Sequence, residues 1–447
     1  MLIFRLREKI KHEHVEDCLK QLLKNENMSC EELKEWQLTH LRELLSYICE
    51  HVPYFKEYAK NNNIDKSFNS TDIVELLSLF PVSDKELVRN NFDKWLADEL
   101  LYENVYWGTT SGSTGIPFKY YYSQIASDYK TASKYRLYHR YGINIDDKQM
   151  CFGASFNQSQ TKFQKFKADF NNRFVNKRFF IDTTHLTKES IESEISRINK
   201  LPIKSIWGYP SAVFDVAKYA LDNNIKIHNP HLKAIIYSGE SHDEYLNQVV
   251  KDAFGEKIYI VDEFNSNEGF IAGTYKDGLL HLNDDTAIFE VLKPDGTISS
   301  SGKGELLITS LFNKEFPFIR YKNGDVVDIS ESTGNIGVPF RILNSADGRS
   351  SSFIYNGTIK VPHAICTHYM PHSNYKTQVK KFQIIQNEKN SVIVKIAYYD
   401  ENNLDKKGIE EMYRSLFDQI EVYFEYVDDI PREKSGKFRD VVQNVKG

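Results

Sequence analysis

Cysteine is scarce in this chain of 447 residues: Cys18, Cys30, Cys49, Cys151 and Cys366 are all there are. An odd, scattered set without a C-x-x-C pair excludes a disulfide framework and a paired-cysteine redox or zinc motif, and it points to reduced thiols in a cytoplasmic setting. Long apolar runs are missing too. Nothing approaches the ~18 consecutive apolar residues of a membrane span, and Leu2-Ile3-Phe4 gives way at once to Arg5, Arg7, Glu8 and Lys9, so neither a transmembrane segment nor a secretory leader is expected. Charge of one sign is absent as well. Lysine and arginine total 57 against 62 acidic residues, a formal net charge of −5, which excludes bulk attraction to nucleic acid or an anionic membrane. There is no G-x-S-x-G elbow and no G-x-x-x-x-G-K-[ST] loop. His363, Cys366, His368 and His372 cluster, but their spacing matches no zinc pattern, and they read as a structural junction.

What is present describes a globular chain: 41% hydrophobic and 27% charged residues, in a length too great for one ordinary core, so at least two domains are expected. Residues 2–23 form a mildly amphipathic pattern suited to packing on the parent domain. The first hundred residues are mostly helical: Leu38, Leu41, Leu44, Leu45 and Ile48 recur at helical spacing up to Val52-Pro53, and Phe80 to Asp84 reads as a break followed by an N-cap. Alternation over Tyr102–Trp107 predicts a strand. From 187 to 264, helices and strands alternate, with Thr187 as a cap, strands at Lys204–Trp207, Leu232–Tyr237 and Lys257–Val261, and helices at Ser211–Leu221 and Tyr245–Phe254. That order predicts a parallel sheet with crossover helices, whose ligands gather beyond the C-terminal strand ends. After about residue 280 the pattern turns to β, with a tight turn at Pro294-Asp295-Gly296. Asp347-Gly348-Arg349 is the expected linker into a small α+β domain.

The most informative run is Thr109-Thr110-Ser111-Gly112-Ser113-Thr114-Gly115-Ile116-Pro117-Phe118-Lys119. Gly112 and Gly115 let backbone approach a ligand, the hydroxyls of Thr110, Ser111, Ser113 and Thr114 donate to phosphate oxygens, and Lys119 adds a mobile cation. Further on, Phe264-Asn265-Ser266-Asn267-Glu268 offers an aromatic face and a carboxylate that suits Mg²⁺. Arg320-Tyr321-Lys322-Asn323-Gly324-Asp325 ends in a carboxylate placed to accept ribose hydroxyls or to cap a turn. Pro431 to Arg439 carries Arg432, Lys434, Lys437 and Arg439 in eight residues.

In order along nearly the whole chain, these segments resemble the adenylate-forming superfamily of acyl-CoA synthetases, peptide-synthetase adenylation domains and luciferases. The closest likeness is to the phenylacetate–CoA ligase branch and its CapK-type capsule-polysaccharide members; Val52-Pro53-Tyr54-Phe55 and the 79–86 region are similar to that branch's N-terminal pattern. Thr110 to Pro117 looks like the family's phosphate loop, and Gly208-Tyr209-Pro210-Ser211 like the segment bordering the acyl pocket. Ser238-Gly239-Glu240 resembles the adenine-side turn, Phe264 to Glu268 the aromatic-x-x-x-Glu motif, and Asp325 the ribose aspartate. Gly348-Arg349 resembles the hinge arginine, and Ser435-Gly436-Lys437-Phe438-Arg439 the catalytic-lysine segment.

The resemblance implies an α/β fold: a large domain, 1–347, with parallel sheets and a β-rich subdomain, and a small mobile α+β lid, 348–447. It implies attack of a carboxylate on the α-phosphate of ATP, release of pyrophosphate, and transfer of the acyl group to an acceptor. By that likeness Glu268 holds Mg²⁺, Lys437 reaches the reacting oxygen, Asp325 anchors ribose, and Phe264 stacks on adenine beside Asn265 and Asn267. Arg349 touches ribose or phosphate, and Trp207, Tyr209, Pro210 and Ser211 border the acid, with Phe152, Gly153, Ala154 and Ala212 as further candidates. The acceptor is an amine or hydroxyl, as the CapK likeness implies for surface-polysaccharide biosynthesis, or the thiol of CoA. A non-catalytic nucleotide-binding relative is the third reading, and the branch's likeness admits a homodimer. Two positions depart from the family: Ser351 or Ser352 stands at the hinge where aspartate or lysine is common, and Asn265 replaces a glycine.

Overall fold

The computed structural model describes residues 8, 13–101, 105–110, 118–153, 172–173, 176–183, 186–240, 242–266, 268–349, 353–357, 359–362, 365–366, 369–370, 373–433 and 436–445; at 110, 347–349, 353, 360 and 362 it describes backbone alone. It is a mixed α/β protein, and contact clustering divides the chain into two compact units, one comprising Met1–Asp147 and Val261–Ala346 and the other Lys148–Ile260 and Asp347–Gly447.

The first unit opens with helices. Ser29 starts Cys30–His51 through a capping box with Glu32, and Asp84 caps the short helix Lys85–Asn90, so local hydroxyl and carboxylate groups satisfy the first free N–H groups. Leu38, Leu41, Leu44, Leu45 and Ile48 are fully buried in one cluster with Phe55, Phe80, Trp95, Phe316 and Phe318. Of the expected helix over residues 2–23, residues 2–7 and 9–12 lie outside the described residues; the described helix is Val15–Asn25, which buries Val15, Cys18 and Leu22. The hairpin Val105–Thr110 with Phe118–Ser123 is antiparallel; of the strand expected over 102–107, residues 105–107 are extended and 102–104 lie outside the described residues. Helix Gln124–Arg140 follows, started by Ser123. Residues 270–329 supply antiparallel strands, among them Ala287–Leu292, Gly302–Ser310 and Tyr321–Ile329.

One buried ion pair ties this unit together. Arg136 donates from Nη1 to Asp285 Oδ2 at 2.7 Å and from Nη2 to Asp285 Oδ1 at 2.9 Å, with side-chain exposures of 1% and 0%. The same guanidinium donates to the Leu22 carbonyl and to Asn283, and Asn25 Nδ2 also reaches Asp285 at 3.0 Å. Two helices and the 283–285 turn therefore share one set of charge-assisted bonds.

The second unit begins with a parallel sheet in the spatial order Arg178–Asp182, Lys148–Gly153, Ile203–Gly208, Ala234–Ser238. The first two of these strands were not foreseen. Helices Lys188–Lys200 (capped by Thr187), Pro210–Asp222 and Glu244–Phe254 bury Ile191, Ile195, Val213, Val216 and Val250 in a cluster with sheet residues that include Phe152 and Ile206. After Lys148–Gly153 the chain goes to one side for its next strand and to the other side for Ile203–Gly208. That reversal makes a topological switch point at the C-terminal ends of these two strands.

The same unit holds a four-stranded sheet in the order Glu421–Val427, Ser391–Tyr398, Val379–Glu388, Val441–Gln443, covered by helix Lys406–Leu416. Ile384, Val394, Ile409, Tyr413 and Phe417 form its core. The linker expected at Asp347-Gly348-Arg349 has extended backbone at the end of strand Ile342–Arg349, and the boundary between the two units falls between Ala346 and Asp347.

Arg136→Ala strands the Asp285 carboxylate without its cation. We expect a loss of about 3–5 kcal/mol, read as a lower urea midpoint for loss of near-UV ellipticity; an unchanged midpoint refutes the tie.

Candidate functional site

The switch point forces a glycine. A Cβ on Gly208 would lie 2.5 Å from Phe152 Cβ and 2.8 Å from the Phe152 carbonyl, so the two strand ends approach closely only without a side chain there. Tyr209 then leads into helix Pro210–Asp222 with Pro210 in its first turn, and Ser211 lies at the helix start. On the next strand, Gly239 has φ +80°, a left-handed turn that brings Glu240 back toward Ser211.

Glu240 is the hub. Its Oε2 accepts from Ser211 Oγ at 2.5 Å and from the Ser211 N–H at 3.2 Å, while Oε1 accepts from the Phe438 N–H at 2.6 Å. Arg432 Nη1 donates to Ser211 Oγ at 2.5 Å and Nη2 to Asp215 Oδ2 at 2.8 Å. Arg432 also stands 3.9 Å from Glu240 Oε1, with its own side chain only 4% exposed. The segment around Lys437 is closed on itself: the Glu433 N–H donates to the Lys437 carbonyl at 3.0 Å, the Gly436 N–H to the Glu433 carbonyl at 2.8 Å, and Arg439 pairs with Glu433 at 2.9 Å. Within this unit, the residues expected at the acyl pocket, the adenine turn and the catalytic-lysine segment thus meet. Trp207 is half-buried, whereas Phe152 and Ala212 are wholly inside the hydrophobic core.

In the first unit, Phe264 is half-buried against Ile271, Leu282 and Phe289 at the end of strand Tyr259–Asn265, and Asn265 is exposed. The turn after it is closed by the Ser266 N–H donating to the Gly269 carbonyl at 3.0 Å, and Lys130 Nζ donates to the Ser266 carbonyl at 2.5 Å. Burial pulls the Lys130 ammonium below the usual lysine range, while Glu268 and Glu263 act against that shift. Glu263 is itself bonded by Tyr138 at 2.7 Å and faces Lys134 at 3.6 Å. Asp325 accepts from Asn323 Nδ2 at 2.6 Å, and its own N–H donates to Asn323 Oδ1 at 3.0 Å. Lys119 is exposed, with Nζ 4.9 Å from the Tyr121 ring and 5.6 Å from the Trp107 ring. Ser111, Gly112, Ser113, Thr114, Gly115 and Asn267 lie outside the described residues, as do His363, His368, His372 and Ala154; Thr110 and Arg349 are described in backbone alone.

Sequence reasoning missed Lys130, Asp215, Arg432 and Asp440 as contributors. Arg432 sat in a visible cationic cluster, but nothing in helical spacing marks Asp215 or Lys130, whose neighbours are distant in the chain.

Asp440 is held up at about 7, first by burial, then by the Glu240 charge, with Lys437 and Arg432 acting the other way. Unfolded, such a carboxyl ionises near ~3.9. Between those values the folded chain keeps a proton that the unfolded chain has released, so stability falls as pH rises from about 4 to about 7 and then levels. Asp440→Asn removes that loss. Its melting temperature should exceed the wild type's by roughly 2–4 °C at about pH 8, with the gap closing toward about pH 4; a gap independent of pH contradicts the assignment.

Residues 362–444 match the family model of the CapK C-terminal domain. The chain is 24% identical to Protein CapK of Staphylococcus aureus over 435 residues, which covers 93% of this chain and 90% of that protein. It is 22% identical to the phenylacetate-coenzyme A ligase of Pseudomonas putida over 406 residues, 87% of this chain and 84% of that enzyme. Among solved structures it resembles a 2-hydroxyisobutyryl-CoA ligase in the postadenylation state with R3-HIB-AMP, at TM-score 0.72 and 14% identity, covering 94% of this chain and 91% of that one.

Proposed function

We propose that the chain is an ATP-dependent, AMP-forming ligase of the adenylate-forming superfamily, in the branch of CapK and phenylacetate–CoA ligase, a reading its similarity to those proteins supports. It activates a small carboxylic acid as its acyl-adenylate, releases pyrophosphate and passes the acyl group to an acceptor. One observation carries the reading: Phe438, next to Lys437, donates its N–H to Glu240 at 2.6 Å, beside the switch-point turn Gly208-Tyr209-Pro210-Ser211. A cation delivered there meets the place where open α/β sheets bind ligands.

The first step brings a carboxylate and a phosphate together, so positive charge must offset their repulsion as the new bond forms. Lys437 supplies it at the reacting oxygen. Residues 110–115, with Lys119, cradle the β- and γ-phosphates, Asp325 accepts the ribose hydroxyls, Phe264 stacks on the base, and Asn265, Asn267 and the Ser238-Gly239-Glu240 turn are the further nucleotide-binding residues of the reading. Glu268 suits Mg²⁺, for which one carboxylate and the substrate's phosphate oxygens suffice; bound there, the ion would neutralise phosphate charge. Trp207, Tyr209, Pro210 and Ser211 border the acid. Residues 348–447 act as the lid that carries Lys437, with Arg349 at its hinge, and residues 1–347 carry the ATP and acid sites. Keeping Glu268, Asp325 and Lys437 together speaks against a non-catalytic binding module, which needs no such set.

For the acceptor, the 24% likeness to CapK over most of both chains supports an amine or hydroxyl in surface-polysaccharide assembly. The 22% likeness to phenylacetate-coenzyme A ligase supports CoA as the second reading. The ATP requirement and scattered thiols fit the cytoplasm.

An ATP–pyrophosphate exchange screen over aryl, fatty, amino and sugar acids tests the activation step. Lys437→Ala should lower exchange by roughly 10²-fold or more, the loss seen when one electrostatic donor to a transition state is removed. Exchange at the wild-type rate in that variant refutes the assigned role. With the acid in hand, thioester formation on adding CoA favours the second reading, and hydroxamate trapping without it favours the first.

A further inference from the structure

The Arg439 end of the segment that presents Lys437 is held by Gln383 Nε2, which donates to the Arg439 carbonyl at 2.8 Å, and the segment is bonded to helix Pro210–Asp222 and the Gly239 turn at two further points. One is the Phe438 N–H on Glu240 Oε1 at 2.6 Å. The other is Arg432, whose guanidinium spans Ser211 Oγ at 2.5 Å and Asp215 Oδ2 at 2.8 Å. Between them, Glu433 bonds to Lys437 and Gly436 through the main chain and to Arg439 through one ion pair. These links tie Lys437 to Glu433, the residue after Arg432, so the Arg432 attachment helps to set where Lys437 lies. Phe438 packs with Ala397 and Ile430, while on the side of Ser211, Asp215, Glu240 and Asp440 there is a cavity of about 180 Å³. On that side the hydrogen bonds of Arg432 and Phe438 are what span to the helix and the turn.

The Arg432 attachment is costly to form and so costly to break. The guanidinium is 4% exposed and Asp215 20% exposed, and a planar fork reaching a hydroxyl and a carboxylate at once suits arginine and not lysine. We propose that Arg432, gripped by Asp215 and Ser211, is a positioning residue that sets Lys437 for the acid-activating step. The proposal rests on the ligase reading given above. Displacing a reacting cation by about 1 Å already costs on the order of 10²-fold in rate, so loosening the Arg432 attachment is enough to slow the chemistry without touching ATP.

The test has two arms on the full-length protein. In the first, without substrate, Arg432→Ala and Asp215→Ala are digested with limiting trypsin and the cuts located by mass. Cleavage within residues 432–439 should quicken by roughly tenfold or more, the effect of removing one partner of a buried charged pair, with the rest of the chain cut as in the wild type. Wild-type cleavage there, or a rise spread over the whole chain, overturns the proposal. In the second arm, exchange is measured with phenylacetate or whichever acid supports it in the wild type. The proposal expects kcat to fall roughly tenfold or more with KM for ATP held within about twofold, and Arg432→Lys to recover part of kcat; unchanged kcat in Arg432→Ala overturns it. If the wild type exchanges with no acid, the ligase reading falls while the trypsin arm still decides whether Arg432 holds the segment.

Discussion

A carboxylate that leaves water must find donors, and Glu240 finds three: the Ser211 hydroxyl, the Ser211 N–H and the Phe438 N–H. An unpaired buried charge is among the most costly arrangements a protein can hold. That requirement draws the start of helix Pro210–Asp222 and the segment around Lys437 onto one turn. The left-handed backbone at Gly239 aims Glu240, and the bare Cα of Gly208 lets the neighbouring strand end come close enough to present Ser211. The candidate site in this unit follows from satisfying one acid.

Burial and the charges around that acid explain its neighbour. Burial disfavours the charged form of Asp440 first, and the Glu240 charge adds to that, while Lys437 and Arg432 act the other way. The balance leaves its carboxyl protonated up to about pH 7. The first unit shows the inverse: Lys130 loses basicity through burial although Glu268 and Glu263 lie near enough to oppose that loss. Both sites hold a titratable group poised by burial against charge.

Much of the fold was legible because it rests on local rules. Thr187, Asp84 and the Leu38 to Ile48 stripe declare their helices through caps and period, and the strands at 203–208 and 234–238 through apolar content between turn residues. The strand Lys148–Gly153 was not legible: Met150-Cys151-Phe152-Gly153 is short and apolar, the case in which periodicity cannot separate strand from core helix. Nor was the extended backbone at the end of Ile342–Arg349, where Asp347-Gly348-Arg349 reads from the sequence as a linker. At the site, motif order marked Lys437, Glu240 and Ser211, because each belongs to a run with its own chemistry. Asp215 and Arg432 are single charged residues 217 positions apart, and only the folded chain makes them a pair.

That division has a physical basis. A motif is readable when one short stretch must meet a ligand, since backbone geometry and side-chain chemistry are then constrained together. A long-range charged pair constrains only the sum of two positions, and many other placements would hold the same segment. The groups that touch substrate are therefore the visible ones, while those that aim them are hidden until the structure is seen. Here the hidden part is substantial. If Lys437 supplies the cation, its placement relies on Arg432 and Glu240, and an arginine buried to 4% exposure beside a cavity has no packing reason to be there that leucine would not meet at lower cost. Its retention of charge in that position is intelligible as a means of fixing direction, since a fork bonded to two groups leaves a segment one orientation where an apolar contact leaves several.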